Sequence, residues 1–397
     1  MKLLRFILMI FLSVIVGFGL WQYFFALRYT FPEPKPFAGP LIYNPYEGVN
    51  ARNWLKCNFH AHARTWNGIT NGKATAKDIW RVYDSLGYDI HAVSNYQYID
   101  TTFCKTGKYL PAYEHGYNIL KTHQNVLGCP SVLWTDYIFP QTLSNKQDIL
   151  SKLSGDKNAV VILNHPETRK GYSGRELAYL TNYHCIEVLN PAVSSFAEWD
   201  SALSAGKRVF IVGSDDIHNV LKKGQAGRMC TFVNAPAAKP NAVLESLKEG
   251  RSYGVKISPS QKLDSFPRLE YLILKKDTVE LKLSRTAKEI KFIGTGGRLL
   301  ATYLDTAFAR YPLQKADRYA RAAVTYENGT ALYFNPVFFI DPKEPRDSLA
   351  TVDKEKTIVF RTTGAFLIFL WISLMRSIFV RKKVSHPSKK KEYAGNG

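Results

Sequence analysis

Short apolar runs that end abruptly in polar residues recur from about Leu55 to Val255, with amphipathic stretches between them. Trp54-Leu55-Lys56-Cys57-Asn58-Phe59 leads into His60-Ala61-His62, and Ala159-Val160-Val161-Ile162-Leu163-Asn164 into His165-Pro166. Val209-Phe210-Ile211-Val212 likewise leads into Gly213-Ser214-Asp215-Asp216-Ile217-His218. These runs read as strands, whereas residues 76–86 carry a helical pattern that stops at Gly87. The alternation predicts an α/β fold. Polar residues at the C-terminal ends of successive strands predict more, because (β/α) barrels build their active sites there.

The pattern changes after Ser258. Leu269-Glu270-Tyr271-Leu272-Ile273-Leu274, Val279-Glu280-Leu281-Lys282-Leu283 and Thr330-Ala331-Leu332-Tyr333-Phe334 are short runs, several of them alternating, separated by turns such as Gly294-Thr295-Gly296-Gly297 and Glu327-Asn328-Gly329. They predict a small all-β, sandwich-like domain that braces the barrel.

Two segments show no alternation at all. Residues 6–27 are uncharged and mostly apolar, and at about 1.5 Å per residue they span a hydrocarbon core of about 30 Å. The run is too long for a signal-peptide core and lacks a small-x-small cleavage site, so it reads as an uncleaved anchor. Residues 358–380 form a second span, whose Arg361 and Arg376 can snorkel to the headgroups. The layout is a cytoplasmic N-terminus (1–5), an anchor (6–27), a linker (28–50), a metal-dependent barrel (51–257), a β-sandwich-like domain (258–345), a linker (346–357), a second span (358–380) and a basic tail (381–397).

The chemistry sits where the strands end. His60, His62, Glu114, His123, His165, Asp216 and His218 are residue types that zinc, manganese or iron takes as ligands. In extended backbone, residues two apart share a side, so His60 and His62 can grip one ion while Ala61 points away, and Asp216 and His218 repeat the geometry. Glu114 can bridge two ions. Glu114 and His123 have no strong strand before them and rank below His60, His62 and Asp216; His115 competes as an exposed loop histidine, and Asp136 is the substitute for Glu114.

Asn58-Phe59-His60-Ala61-His62-Ala63, Asn164-His165-Pro166, Cys185-Ile186-Glu187-Val188-Leu189-Asn190 and Gly213-Ser214-Asp215-Asp216-Ile217-His218 together resemble the successive motifs of the PHP (polymerase and histidinol phosphatase) superfamily. The stretch holding Glu114 and His123 resembles that family's glutamate and its downstream histidine. The resemblance covers roughly residues 52–256 and implies a distorted (β/α)7 TIM-like barrel, two or three divalent metal ions and hydrolysis of phosphate esters. It departs at two places. Asn67 stands where the family carries an acidic residue or histidine, and Ser94-Asn95-Tyr96 stands where it carries Thr-Asp-His. An amide oxygen carries no charge and a tyrosine must first lose its proton, so both are poor ligands. By the resemblance they belong to the third metal position, which leaves a dinuclear centre with a weakened third site at Asn67 and Tyr96.

Charge supplies the orientation. Lys2 and Arg5 precede the first span, and Arg376, Arg381, Lys382, Lys383, Lys389, Lys390 and Lys391 stand at or beyond the end of the second. Positive residues stay inside, so both termini are expected in the cytoplasm and the catalytic domain outside it, periplasmic or on the outer face. The formal net charge of +20 owes part of its size to that tail, which reads as a topology signal against anionic lipid rather than as a nucleic-acid surface. The remaining excess can steer an anionic substrate, a phosphorylated small molecule or an envelope lipid, with Arg64, Arg169 and Asn190 as candidate substrate contacts. The sequence does not set the oligomeric state.

Five cysteines without Cys-x-x-Cys spacing exclude a zinc ribbon or thioredoxin-like site, and no Gly-rich nucleotide loop or nucleophile elbow offers rival chemistry. The reading is a membrane-anchored phosphoesterase with water activated at its metal centre. His165 and His218, where not occupied as ligands, would protonate the leaving oxygen, and Glu187 would orient ligands or substrate. A metal-binding pseudoenzyme or scaffold of the envelope and an extracytoplasmic nuclease are the other two classes.

Overall fold

The structure, a computed structural model, describes residues 2–261, 266–345 and 348–380. The chain divides into two compact units, residues 1–28 with 352–397 and residues 29–351. The expected basic tail, 381–397, lies outside the described residues.

The first unit contains two helices long and apolar enough to cross a membrane, Phe6–Phe25 near the N-terminus and Lys354–Ser377. Inside this unit the helices meet at specific points. Trp371 Nε1 donates to Ser13 Oγ at 3.2 Å, Arg361 Nε donates to the Phe25 carbonyl at 3.1 Å, and a Cβ on Gly364 would stand 2.7 Å from that of Phe24. Glycine there lets the two backbones approach.

The second unit opens with β1 (Tyr29–Thr30), β2 (Leu41–Tyr43), β3 (Trp54–Asn58), β4 (Ile90–His91) and the hairpin of β5 (Ser94–Asn95) with β6 (Tyr98–Ile99). A five-stranded sheet follows, built from β7 (Ala112–His115), β8 (Gln124–Leu127), β9 (Val160–Leu163), β10 (Cys185–Leu189) and β11 (Phe210–Gly213), paired in that order. The later strands β12 (Met229–Asn234), β13 (Ser252–Lys256), β14 (Leu269–Lys275), β15 (Thr278–Ile293), β16 (Leu299–Pro312), β17 (Tyr319–Thr325), β18 (Ala331–Phe334) and β19 (Val337–Ile340) join β2, β3 and β4 in one eleven-stranded sheet.

The fold is mixed α/β, as expected, with sheets that combine parallel and antiparallel pairs. Among the described residues the strand ladders do not trace a closed (β/α)7 ring; the single-residue bridge Ala61–Ile217 joins the segment after β3 to the segment after β11, and Tyr96–Glu114 joins the β5–β6 hairpin to β7. Parallel pairing holds for β9, β10 and β11 and for β3 with β4, but β7, β8 and β9 are mutually antiparallel and β12 runs antiparallel to both β3 and β13. The physical reason is connection length, because a parallel pair needs a crossover element and the short link from β7 to β8 has room for none.

The alternating C-terminal strands are antiparallel, as their pattern predicts. They do not stand apart as a sandwich: β18 pairs with β13 in a register that sets Tyr253 opposite Phe334, so the sheet passes from the β3 region into the C-terminal strands without a break. The seam is cemented by aromatic rings, with Tyr253 4.8 Å from Trp54 and 5.1 Å from Phe334 between centroids. Tyr46 donates to the Ser252 carbonyl at 2.8 Å and accepts from Asn335 N at 2.7 Å.

A second tie is ionic. Arg321 on β17 makes a two-pronged pair with Asp200 of the helix Phe196–Ser204, at 2.8 and 2.7 Å, and both residues are buried. Arg321→Ala strands a buried carboxylate and should cost about 3–5 kcal/mol, read as a lowered denaturation midpoint, while removing both partners together should recover part of the loss.

His91 tests the burial from another side. Its ring lies between Trp80 and Tyr83, neither nitrogen has a hydrogen-bond partner, and burial pushes its pKa down to about 4. The unfolded chain takes up this proton near the usual value of about 6.5, the folded one only near 4, so this contribution is complete above 6.5 and is lost as pH falls from there to 4. His91→Met should flatten that part of the stability-against-pH curve measured by denaturant titration.

Candidate metal centre

Strand direction explains how the ligands gather. His60 and His62 follow β3, His165 follows β9, and Asp216 and His218 follow β11. His123 precedes β8, and because β8 runs antiparallel to β9 its beginning lies at the same edge as the end of β9, where Asn164 N donates to the His123 carbonyl at 3.1 Å. Glu114 sits inside β7, opposite Asn125 of β8.

The backbone at this edge is sharply bent. His165 and Asp216 have φ of 30° and 44°, a left-handed conformation that non-glycine residues rarely adopt and that costs on the order of 1–3 kcal/mol each. The turn at Asp216 separates two adjacent carboxylates. Asp215 accepts hydrogen bonds from Tyr83 Oη and from the backbone of Gly227, Arg228 and Met229, while Asp216 faces the histidines. The loop after β3 is pinned in turn by Ser94, which accepts from Ala61 N at 3.2 Å, and Asn95, which accepts from Ala63 N at 2.7 Å.

All seven predicted ligands belong to one cluster, in four overlapping groups: His60 with His165 and Asp216, His60 with His62 and Glu114, His62 with Asp216 and His218, and Glu114 with His123 and His165. His60 Nε2 lies 3.1 Å from His62 Nε2, 3.3 Å from Glu114 Oε1 and 3.2 Å from Asp216 Oδ1. His62 Nε2 lies 3.2 Å from Glu114 Oε2 and 3.3 Å from Asp216 Oδ1. On its other side Glu114 Oε1 stands 2.9 Å from His123 Nδ1 and 3.4 Å from His165 Nε2.

These separations fit divalent ions. Four donors about 2.0–2.1 Å from a tetrahedral zinc stand about 3.3–3.4 Å from one another, and the observed edges scatter closely around that value. Two buried carboxylate oxygens, Glu114 Oε2 and Asp216 Oδ1, accept no hydrogen bond, which leaves them directed at the cluster interior. Tautomers agree as well: Glu187 Oε1 accepts from His60 Nδ1 at 2.9 Å, so the lone pair at Nε2 turns inward.

Electrostatics tell the same story. Burial opposes a charge on His60, yet Asp216, Glu187 and Glu114 outweigh it and hold its pKa well above the usual imidazole value. Burial likewise opposes charge on His62, but the adjacent Asp216 and Glu114 carboxylates raise it. Glu114 is buried too, and His123 and His60 nevertheless keep it well below the carboxylate range. The carboxylates of the cluster thus call for positive charge, which a bound cation would supply.

Glu187 accepts three hydrogen bonds, from His60 Nδ1, from His165 N at 3.1 Å and from Asn190 Nδ2 at 3.0 Å, and Asn190 also donates to Asp216 Oδ2 at 3.2 Å. The two residues therefore hold the ligands in place. Tyr96 stacks on His62 at 4.4 Å and its hydroxyl stands 3.4 Å from His218 Nε2; burial drives its pKa upward, so the phenol stays neutral. Asn67 lies exposed in the turn Trp66–Gly68. Arg64 is exposed, and Arg169 donates to the Ile119 carbonyl at 3.1 Å.

The two competing residues have other duties. His115 is buried rather than exposed, held between Gln124 Oε1 and the Thr135 carbonyl, and Asp136 accepts from Tyr117 N, Tyr137 N and Gln141. The sequence reading assigned no role to Asn164, whose amide donates to Glu114 Oε1 at 2.9 Å, nor to Asp215. The signal for both lay in the motifs themselves, where each adjoins a ligand.

No family model and no curated protein matches the chain. Among solved structures, the chain is similar to a two-domain protein containing a predicted PHP-like metal-dependent phosphoesterase from Bacteroides vulgatus ATCC 8482, with 15% identity and a TM-score of 0.40 over 81% of this chain and 99% of that one. It is also similar to PsfC from Pseudomonas syringae PB-5123, with 14% identity and a TM-score of 0.35 over 49% of this chain and 87% of that one.

Glu187→Ala should weaken metal binding about 10–100-fold although Glu187 is no ligand, measured by competition with a chromophoric chelator. Elemental analysis of the full-length protein purified with metal should find close to two ions per chain. None would sink the metalloprotein reading, and three held tightly would show that Asn67 and Tyr96 do not weaken a third position.

Proposed function

We propose that the protein is a membrane-anchored, metal-dependent phosphoesterase. One observation carries the reading: a single buried carboxylate, Glu114, spans two histidine groups, with His60 and His62 on one side and His123 and His165 on the other. Such a set would hold two divalent ions, which when bound supply Lewis acidity toward a phosphoryl oxygen and lower the pKa of a water. The motif resemblance points to the same chemistry.

The chain's own groups divide the remaining work. Asp216 and His218 close the solvent side, both partly exposed where the other ligands are buried, so substrate approaches from there. His218 Nδ1 donates to the Asp216 carbonyl at 2.9 Å, and burial lowers its pKa, so a neutral ring offers Nε2 as ligand or base. His165 is buried beside Glu114, 3.4 Å from its Oε1, and would serve first as a ligand; only where it is not occupied as one would it, like His218, give a proton to the leaving oxygen. Arg64 remains available to a phosphate.

Orientation completes the proposal. Lys2 and Arg5 on one side, and Arg376 with the basic tail on the other, favour cytoplasmic termini and a catalytic unit outside the cytoplasm. A reporter that works only outside the cytoplasm should be active when fused after Gly254 and silent after Gly397; the reverse would place the site in the cytosol.

Turnover by the detergent-solubilised, metal-loaded chain should vanish on chelation and return with metal. Asp216→Asn and His60→Ala should each lower kcat for bis-p-nitrophenyl phosphate or a monoester by about 100-fold or more with circular dichroism unchanged, because several kcal/mol of transition-state stabilisation leave with a ligand. Asn67→Ala should stay within a few-fold of the parent. Full metal with no turnover on a phosphoester panel would mark a pseudoenzyme, and salt-dependent binding and cleavage of DNA would mark a nuclease.

A further inference from the structure

A cleft of about 480 Å³ opens beside the cluster, and Tyr96 and His123 line it together with Trp66, Tyr117, Lys121 and Trp134. Two of these residues also belong to the metal centre's surroundings, since Tyr96 stacks on His62 and His123 contacts Glu114. The cleft and the cluster are therefore continuous. Its volume is that of a small-molecule site, large enough for a ring system beyond the phosphate.

The walls are aromatic, exposed and held in place. Trp66, Tyr117 and Trp134 are 43%, 46% and 60% exposed, a density of bare rings that burial in the fold does not account for. Trp66 Nε1 donates to the Tyr96 carbonyl at 2.9 Å, Tyr117 Oη donates to the Trp134 carbonyl at 3.0 Å, and the two indoles meet edge to face at 6.0 Å and 73°. Their orientation is thus set before any ligand arrives. Faces fixed at such an angle suit a flat ring, which meets one indole by its face and the other by its edge.

Lys121 supplies the charge. It lies partly exposed on the same cleft, its Nζ 5.7 Å from the centre of the Tyr96 ring, and among the described residues no carboxylate is within ion-pair distance of it. A cation between a ring-lined cleft and a metal cluster matches an anion that carries a ring.

We infer that this cleft binds the alcohol portion of the ester, and that the substrate class is phosphate esters of flat, ring-bearing alcohols whose phosphate lies between Lys121 and the cluster. The inference rests on the phosphoesterase reading and narrows its substrate.

The test pairs two esters whose alcohols leave about equally well, benzyl phosphate and ethyl phosphate, and their non-hydrolysable phosphonates, benzylphosphonate and ethylphosphonate. With the full-length, metal-loaded protein in detergent, calorimetry should show benzylphosphonate bound about tenfold more tightly than ethylphosphonate, in keeping with the strength of aromatic pairing. Trp134→Ala should remove most of that ratio by weakening the benzyl ligand alone, and Trp134→Phe should restore it. Lys121→Met should weaken both ligands by the same factor and leave the ratio standing. In turnover the same ratio should appear in KM rather than kcat. Equal binding of the two phosphonates, or a ratio indifferent to Trp134→Ala, overturns the inference, and if both esters are still hydrolysed the phosphoesterase reading survives it. Ring-selective binding lost in Trp134→Ala but without turnover of either ester upholds the cleft and overturns the phosphoesterase instead.

Discussion

A carboxylate with no access to water has to find positive charge or lose its own, and Glu114 finds it on two sides at once. Its side chain is wholly buried, fixed by the Asn164 amide at one oxygen and left without a hydrogen bond at the other. Isolated in a medium of low polarity, such a group would take up a proton. It remains ionised because His60, His62, His123 and His165 stand within 3.4 Å of it. The end of β3, the end of β9 and the start of β8 together bring those four rings to one point.

The cost of that convergence is visible in the backbone. Five histidines and two carboxylates around a shared centre leave little room for relaxed turns, and the left-handed residues at His165 and Asp216 are where the strain collects. It is tolerated because neighbouring groups over-determine the geometry. Three backbone amides and a tyrosine fix Asp215, so its neighbour must turn the other way, and Glu187 ties His60, the His165 amide and Asn190 together. Stability and function separate cleanly here: the aromatic seam around Tyr253 and the Asp200–Arg321 pair carry the sheet, while the edge is free to be strained.

Much of the site was legible because a strand's two-residue period and its abrupt polar end are written in the chain itself. His60, His62, His165, Asp216 and His218 all follow apolar runs. Glu114 and His123 could not be read that way, since Glu114 lies inside a strand of mixed polarity, Ala112–His115, and His123 precedes its strand instead of following it. Strand direction decides that point, and direction is set by the length of a connection and by pairing at a distance, neither of which shows in local periodicity. The same cause hides how the later strands pair: alternation identifies a strand with one face exposed, yet says nothing about which edge it joins, and β18 joins β13. Trp66, Lys121 and Trp134 carried no signal at all, for exposed aromatics and a loop lysine have no period to follow.

Tyr96 links the two halves of the site. A phenol that burial keeps protonated cannot replace an imidazole or carboxylate as ligand, so its position looks like a loss when only the metal is considered. Its ring, however, packs against His62 on one side and lines the cleft on the other, and its carbonyl takes the hydrogen bond that orients Trp66. Trp66 in turn adjoins Asn67, the other poor ligand. Both departures from the metal-binding pattern thus fall on segments that contribute to the aromatic wall, which Tyr117 and Trp134 complete. On the proposed reading this region would bind a substrate ring, with Lys121 providing a positive charge at the cleft.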